Sequence, residues 1–197
     1  DSFATNGAWA QESQPDTACQ GLRAGDQVDV VLLLDQSSSM GDAATEQVRE
    51  GIGIVGGRLQ ELIGQGVEAR WAVVGFGSEA LEGGRVLLPL SPIPSGAGDF
   101  QELQRAYATN DPNTDYRSGL LGAREQLRGS TAECRLLLWF TDGIFDVGPD
   151  GKDPGDAPAV INGVCASESG IADWFQDSNV LSFVILSNDW DINKWER

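Results

Sequence analysis

Apolar residues in this chain fall into two patterns, short continuous runs and longer stretches with helical spacing. Residues 28–34 are apolar except for Asp29, which is typical of a strand buried on both faces of a parallel sheet. Residues 69–76 and 135–140 show the same pattern, and residues 180–186 predict a final strand. Four strands of this kind indicate a largely parallel sheet.

The segments between these runs predict helices. Between residues 42 and 64, apolar side chains recur every three or four positions and line one helix face, which consists of Val48, Ile52, Val55, Leu59 and Ile63. Shorter helices are predicted at residues 100–107 and 116–127. A further helix is indicated by the apolar group Ile171, Trp174 and Phe175.

One predicted strand differs from the others. The strand predicted at residues 85–90 is short and follows the Gly83–Gly84 pair. Pro89 and Pro92 are expected to close it. A glycine pair predicts a hairpin turn, and proline is restricted to the edges of sheets. We therefore expect a short antiparallel strand at one edge.

Strands and helices alternate along the chain, which predicts the α/β class. The expected fold is a doubly wound, mostly parallel central sheet with helices on both faces. Residues 1–27 show no sustained periodicity and predict an irregular N-terminal arm, so the folded domain is expected at residues 28–197.

Composition narrows the possible functions. The 197 residues include 30 acidic and 13 basic side chains, so the formal net charge is −17. A field of this sign repels phosphate groups and anionic lipids, which disfavours nucleic acid as a partner. Membrane insertion by this segment is also disfavoured, because no apolar run approaches the ~20 residues that cross a bilayer.

The residues that the sequence lacks also exclude several kinds of catalytic site. The chain contains no histidine, so a Ser-His-Asp or Cys-His arrangement cannot form. It also lacks the glycine-rich loop with Gly-Lys that holds nucleotide phosphates. We therefore expect a protein that is not an enzyme, with metal-assisted hydrolysis as the remaining catalytic alternative.

Oxygen-bearing side chains follow the first predicted strand directly. Residues 28–34 lead into Asp35, and the alternate positions Asp35, Ser37 and Ser39 can direct three oxygen atoms toward one point. Carboxylate and hydroxyl oxygens suit Mg²⁺, Mn²⁺ or Ca²⁺ and do not suit zinc or copper.

Two further loops can contribute to the same site. The strand at residues 135–140 leads into Thr141 and Asp142, which places a second carboxylate at the same edge of the sheet. Thr114 precedes the helix that leads to this strand and can offer a hydroxyl group. Two neighbouring carboxylates need a cation or a proton between them, so a bound metal ion is predicted.

These motifs resemble the von Willebrand factor A family, in which an apolar strand leads into Asp-x-Ser-x-Ser, a threonine loop follows, and a later strand leads into Thr-Asp-Gly. The likeness spans residues 27–186. It implies a Rossmann-like fold and a metal-ion-dependent adhesion site. It also implies that this chain lacks the family's usual last strand and helix, because only residues 187–197 follow the fifth core strand.

The resemblance also implies a ligand set and a mode of binding. The metal-site residues would be Asp35, Ser37, Ser39, Thr114 and Asp142, with Asp142 acting through water. They would hold one divalent cation, for which Mg²⁺ is expected, with Mn²⁺ or Ca²⁺ as alternatives. A protein partner would complete the coordination with an Asp or Glu side chain.

Three cysteines, Cys19, Cys134 and Cys165, suggest one disulfide and one remaining thiol. Cys134 begins a predicted central strand and Cys19 lies upstream of the neighbouring one, so both belong to the end of the sheet opposite the metal. This pair is preferred, with a Cys134–Cys165 bridge as the alternative. A disulfide indicates an extracellular or cell-surface protein, whereas three thiols would indicate a cytosolic A-type subunit beside an ATPase.

Overall fold

The computed structural model describes residues 19–77, 85–93, 98–142, 171–178 and 180–186. Five strands run along these segments: β1 (Gln27–Asp35), β2 (Glu68–Phe76), β3 (Arg85–Pro92), β4 (Cys134–Thr141) and β5 (Leu181–Leu186). Four α-helices accompany them: α1 (Gly41–Gly64), α2 (Gly98–Ala106), α3 (Tyr116–Leu127) and α4 (Ile171–Asp177). A 3-10 turn, Ser38–Met40, joins β1 to α1.

The strands form one sheet in the order β3-β2-β1-β4-β5. β1 pairs in parallel with β2 and with β4, and β5 pairs in parallel with β4. β3 lies at the edge and is antiparallel to β2. The predicted α/β architecture, with a mostly parallel sheet and one antiparallel edge strand, is confirmed.

β3 extends two residues beyond the predicted bound at residue 90 and ends at Pro92, one of the two prolines predicted to close it. β3 has only one neighbour, so a residue without an N–H can face away from the ladder at little cost. The β2–β3 pairing also shifts register between Trp71 and Val73. Pro89 lies in this irregular part of the strand.

Helices cover both faces of the sheet. On one face α1 and α2 pack over Leu32, Leu34 and Trp71, and on the other α3 and α4 pack over Leu33 and Val74. Alternate residues of β1 therefore enter different cores, and residues 28–35 are all buried. This two-sided burial explains the nearly unbroken apolar run in the sequence.

Asp29 is the one charged residue inside that run, and its charge is paired. The Arg70 guanidinium donates two hydrogen bonds to the Asp29 carboxylate, which is fully buried. The Ser130 hydroxyl donates a third at 2.5 Å. A buried carboxylate is tolerated when it is paired and hydrogen-bonded in this way.

A disulfide joins Cys19 to Cys134, whose Cα atoms lie 4.9 Å apart. The preferred pairing is therefore confirmed and the Cys134–Cys165 alternative is wrong. Both cysteines pack with the α1-side core. The bridge fastens the residues that precede β1 to the first residue of β4, at the end of the sheet where the parallel strands begin.

Some predictions concern parts of the chain outside the described residues. These are residues 1–18 of the arm, the Gly83–Gly84 turn, Cys165 and residues 187–197. Within the described segments, no helix combines the length and apolar character that a membrane span requires.

Candidate metal centre

The predicted metal residues lie at the carboxyl edge of the parallel strands. β1 ends at Asp35, opposite Phe76 at the end of β2, and Leu34 lies opposite Phe140 of β4. Parallel pairing with this register puts the ends of all three strands side by side. Loops that are far apart in the sequence therefore meet here, as the motif order predicts.

Asp35 is the centre of the cluster, and its carboxylate is hydrogen-bonded on both oxygens. Oδ1 accepts from the Ser37 backbone N–H at 2.9 Å and from the Ser37 hydroxyl at 2.6 Å. Oδ2 accepts from the Thr141 hydroxyl at 2.7 Å. Asp35 is fully buried, so the folded loops fix the orientation of its carboxylate.

The cluster reaches the surface through the serines. The Ser37 and Ser39 hydroxyl oxygens are 2.9 Å apart. Because Ser37 gives its proton to Asp35, Ser39 must donate to Ser37 in this arrangement. Ser37 is buried while Ser39 is exposed, so this row of oxygens runs from the interior of the sheet edge to solvent.

Asp142 contributes negative charge beside Asp35. Burial is the main reason that the pKa of Asp35 rises to about 6, and repulsion from Asp142 raises it further, against the hydrogen bonds from Ser37 and Thr141. Asp142 is itself 6% exposed. Two buried carboxylates in electrostatic contact form a site whose charge favours a cation.

The loop that carries Thr114 is fastened to the first loop by its backbone. Asp111 accepts from the Ser38 N–H and donates to the Gln36 carbonyl, and Asp115 donates to the Gly77 carbonyl. A Cβ atom on Gly77 would overlap the Asp111 side chain, so this close approach requires glycine. Thr114 lies between these anchors and is 1% exposed.

The Asp115 side chain has a structural role in the same loop. Its carboxylate accepts from the Ser118 N–H at 3.2 Å and caps the first turn of α3. An acidic N-cap satisfies a free N–H and complements the positive end of the helix. The cap sets the direction in which α3 leaves the site.

Comparison with known proteins identifies the fold. The vWF domain of the type V pili tip protein Mfa5 from Porphyromonas gingivalis matches with a TM-score of 0.50 at 22% identity, over 74% of this chain and 52% of that one. Proximal thread matrix protein 1 from the mussel byssus, solved with a zinc-occupied MIDAS motif, matches with a TM-score of 0.56 at 17% identity, over 82% of this chain and 38% of that one.

The pilus adhesin SpaC from Lactobacillus rhamnosus GG also matches, with a TM-score of 0.50 at 23% identity, over 64% of this chain and 16% of that one. The chain has the von Willebrand factor A fold. It spans about half or less of each of these three chains. No family model matches the sequence, and no curated protein matches it.

The oxygen set at this site fits a hard divalent cation. The described residues contain no group of three His, Cys, Asp or Glu side chains placed to hold a metal. The cluster consists of two carboxylates and hydroxyl groups, which is the donor chemistry of Mg²⁺, Mn²⁺ or Ca²⁺. That Asp35, Ser37, Ser39, Thr114 and Asp142 bind a metal stays a prediction.

Sequence reasoning missed the contacts by which three residues support Asp35. Thr141 and Tyr116 are hydrogen-bonded to each other beside its carboxylate, and the Tyr107 hydroxyl donates to its backbone carbonyl. Hydroxyl placement of this kind depends on the tertiary fold and leaves no local pattern. For Thr141, the available signal was its place in the Thr-Asp-Gly motif.

Proposed function

We propose that this A-type domain is a divalent-cation-dependent protein-binding module that engages an acidic residue of an extracellular partner. The observation that carries the proposal is the cluster at the carboxyl edge of the sheet. There the buried Asp35 carboxylate, the Ser37 and Ser39 hydroxyls and the charge of Asp142 come together.

In this proposal Asp35, Ser37, Ser39, Thr114 and Asp142 hold one cation, for which Mg²⁺ is the expected ion. The cation supplies positive charge and a coordination position that a partner carboxylate can occupy. The protein residues keep the negative groups in place before the cation arrives. An acidic partner is repelled by the two carboxylates alone and attracted once their charge is compensated.

The similar structures support an adhesive role and an extracellular location. They include a pilus adhesin, a pilus tip protein and a byssus matrix protein, the last with a zinc-occupied MIDAS motif. The Cys19–Cys134 disulfide supports the same location, because disulfides persist in oxidising compartments. We propose accordingly that the domain acts at a cell surface or outside the cell.

We also propose that the domain is not an enzyme. The chain has no histidine to serve as a general base. The Asp35 carboxylate, the nearest candidate for that role, already accepts three hydrogen bonds from Ser37 and Thr141. These hydrogen bonds favour the ionised form of Asp35 and so oppose the uptake of a proton from a substrate.

Thermal unfolding with Mg²⁺, Mn²⁺ or Ca²⁺ and with a chelator tests the metal site. We expect at least one cation to stabilise the wild-type domain, by about 2.7 kcal/mol when its concentration is 100 times the Kd. Asp35→Asn and Ser37→Ala should lose this gain. Glu61→Gln is the matched control, because it removes an exposed carboxylate near the opposite end of α1 and should retain the gain.

The partner chemistry can be tested with a displayed library of random peptides selected in the stabilising cation. Selected peptides should carry Asp or Glu, should be released by chelator, and should not bind when that residue is changed to Asn or Gln. Identical unfolding of the wild-type domain in all cations and in chelator would contradict the proposed metal site. Selection of peptides that bind equally well in chelator would contradict the proposed mode of binding.

A further inference from the structure

The two tyrosines of the chain both reach Asp35, and they do so from opposite faces of the sheet. Tyr107 belongs to the α1-side core and its hydroxyl donates to the Asp35 backbone carbonyl. Tyr116 belongs to the α3-side core, and its hydroxyl oxygen lies 3.1 Å from the Thr141 hydroxyl oxygen. Thr141 in turn contacts the Asp35 carboxylate at 2.7 Å.

The number of available protons fixes which group donates in the two hydrogen bonds that link Tyr116, Thr141 and Asp35. An ionised carboxylate can only accept, so Thr141 must give its single hydroxyl proton to Asp35. Thr141 can then only accept from Tyr116, which becomes the donor of the 3.1 Å bond. The three groups form a directed chain from Tyr116 through Thr141 to Asp35, and bonds in such a chain strengthen one another.

Aromatic packing holds the start of this chain in place. The Tyr116 ring lies 5.0 Å from Trp139 in an edge-on arrangement and 5.4 Å from Phe76. Trp139 and Phe76 also contact each other, with ring centroids 6.2 Å apart. These rings come from α3, β4 and β2, so the position of the Tyr116 hydroxyl is set by three elements at once.

We propose that Tyr116 and Thr141 are positioning residues for the cation, acting through the carboxylate of Asp35. Thr141 is the only donor described on Oδ2, whereas Oδ1 is held by Ser37. Rotation about the last torsion of an aspartate is soft, so the Thr141 bond selects one plane for the carboxylate. This role rests on the proposed function, since it has meaning only if Asp35 serves a metal.

Removal of the Thr141 hydroxyl should therefore weaken the metal site by more than it weakens the fold. Changes in residues that orient metal ligands typically lower affinity about 10- to 100-fold. We expect Thr141→Val to lower Mn²⁺ affinity about 10-fold, and Thr141→Ser to retain wild-type affinity because it keeps the hydroxyl. Tyr116→Phe should lower affinity by a smaller factor, because it acts one bond further away.

The experiment measures Mn²⁺ affinity by calorimetry and, separately, thermal unfolding in chelator. The variants are Thr141→Val, Thr141→Ser, Tyr116→Phe and the double variant Tyr116→Phe/Thr141→Val. In the double variant, loss of the Tyr116 hydroxyl should add little, because the chain is already broken at Thr141. Additive losses would mean that the two hydroxyls act separately and would overturn the directed chain.

Ser130→Ala provides the matched control. It removes a hydroxyl that also donates to a buried carboxylate, that of Asp29, at the other end of the sheet. It should lower the unfolding temperature in chelator while leaving Mn²⁺ affinity unchanged.

If Thr141→Val binds Mn²⁺ as tightly as wild type while Asp35→Asn does not bind, the positioning role is overturned and the proposed metal site is retained. If the wild-type domain binds none of Mg²⁺, Mn²⁺ and Ca²⁺ in this assay, both the proposed metal site and the positioning role are overturned.

Discussion

At the scale of single residues, burial and hydrogen bonding have opposite effects on the ionisation of Asp35. Its burial favours the protonated form and raises the pKa of this carboxyl to about 6, while Ser37 and Thr141 donate to the ionised form. A group whose pKa is higher in the folded state stabilises the fold below its unfolded pKa, and this stabilisation is lost as pH rises through the folded value. In the metal-free domain, the ionised Asp35 is therefore destabilising near neutral pH.

We expect the free energy of unfolding in chelator to contain an Asp35 contribution that decreases between about pH 4 and pH 7, by roughly 3 kcal/mol. Asp35→Asn, which does not titrate, should lack this contribution. Urea unfolding of both proteins across this pH range measures the difference. Parallel pH profiles would contradict the raised pKa.

Mg²⁺ should reverse this trend, because a cation binds the ionised carboxylate and its binding competes with protons. In saturating Mg²⁺ the difference between wild type and Asp35→Asn should favour the wild type increasingly as pH rises. The same urea titrations carried out with Mg²⁺ measure this change of sign.

At the scale of secondary-structure elements, glycines let α1 pack closely against its neighbours. A Cβ atom on Gly56 would lie 2.5 Å from the Phe100 ring of α2, and one on Gly51 would lie 2.5 Å from Phe140 of β4. Glycine lowers helix stability, but here it allows aromatic rings to reach the helix backbone. The long helix is thus stabilised by packing that larger side chains would prevent.

A pair of glycine substitutions in α1 tests this interpretation. Gly56→Ala should destabilise the domain by about 1–3 kcal/mol, because the added methyl group must displace the Phe100 ring. Gly57→Ala should stabilise it by about 1 kcal/mol, because Gly57 is exposed and a Cβ there meets no atom within 4 Å. Chemical denaturation of both variants gives the comparison, and equal effects of the same sign would contradict close packing at Gly56.

Most of these elements could be predicted from the spacing of apolar residues. The helix predicted at residues 116–127 has those bounds in the structure, and the β1 strand extends the predicted run by one residue at each end. The edge position of β3 was predicted correctly, and only its end differs, at Pro92 instead of residue 90. Pro89 lies where the β2–β3 register shifts, so it disturbs the pairing without ending the strand.

The candidate site was predictable only in part. Asp35, Ser37 and Ser39 are close in sequence, so their spacing already indicates convergence. Thr141 lies 106 residues from Asp35, and nothing near either residue specifies a bond between them. The motif therefore predicts which side chains face a cation, whereas the hydroxyls that orient them follow from the packing of α3, β2 and β4.

At the scale of the whole molecule, the Cys19–Cys134 disulfide closes a loop with a sequence separation of 115 residues. Linking distant residues restricts the unfolded chain, which typically contributes about 2–5 kcal/mol to stability. We expect Cys19→Ala/Cys134→Ala, made in a Cys165→Ala background, to lose a free energy of unfolding in this range. The single Cys165→Ala variant is the control and should keep the stability of the disulfide-bonded protein.

The same bridge determines how a mechanical load would travel through the domain. A pull on residues 1–18 enters the sheet at Cys19 and passes through the sulfur bond directly to Cys134. The first three strands lie between these cysteines and are bypassed, together with Asp35, Ser37, Ser39 and Thr114. When the chain is pulled from its two ends, four of the five proposed metal residues therefore lie in a covalently closed ring that this pull does not extend.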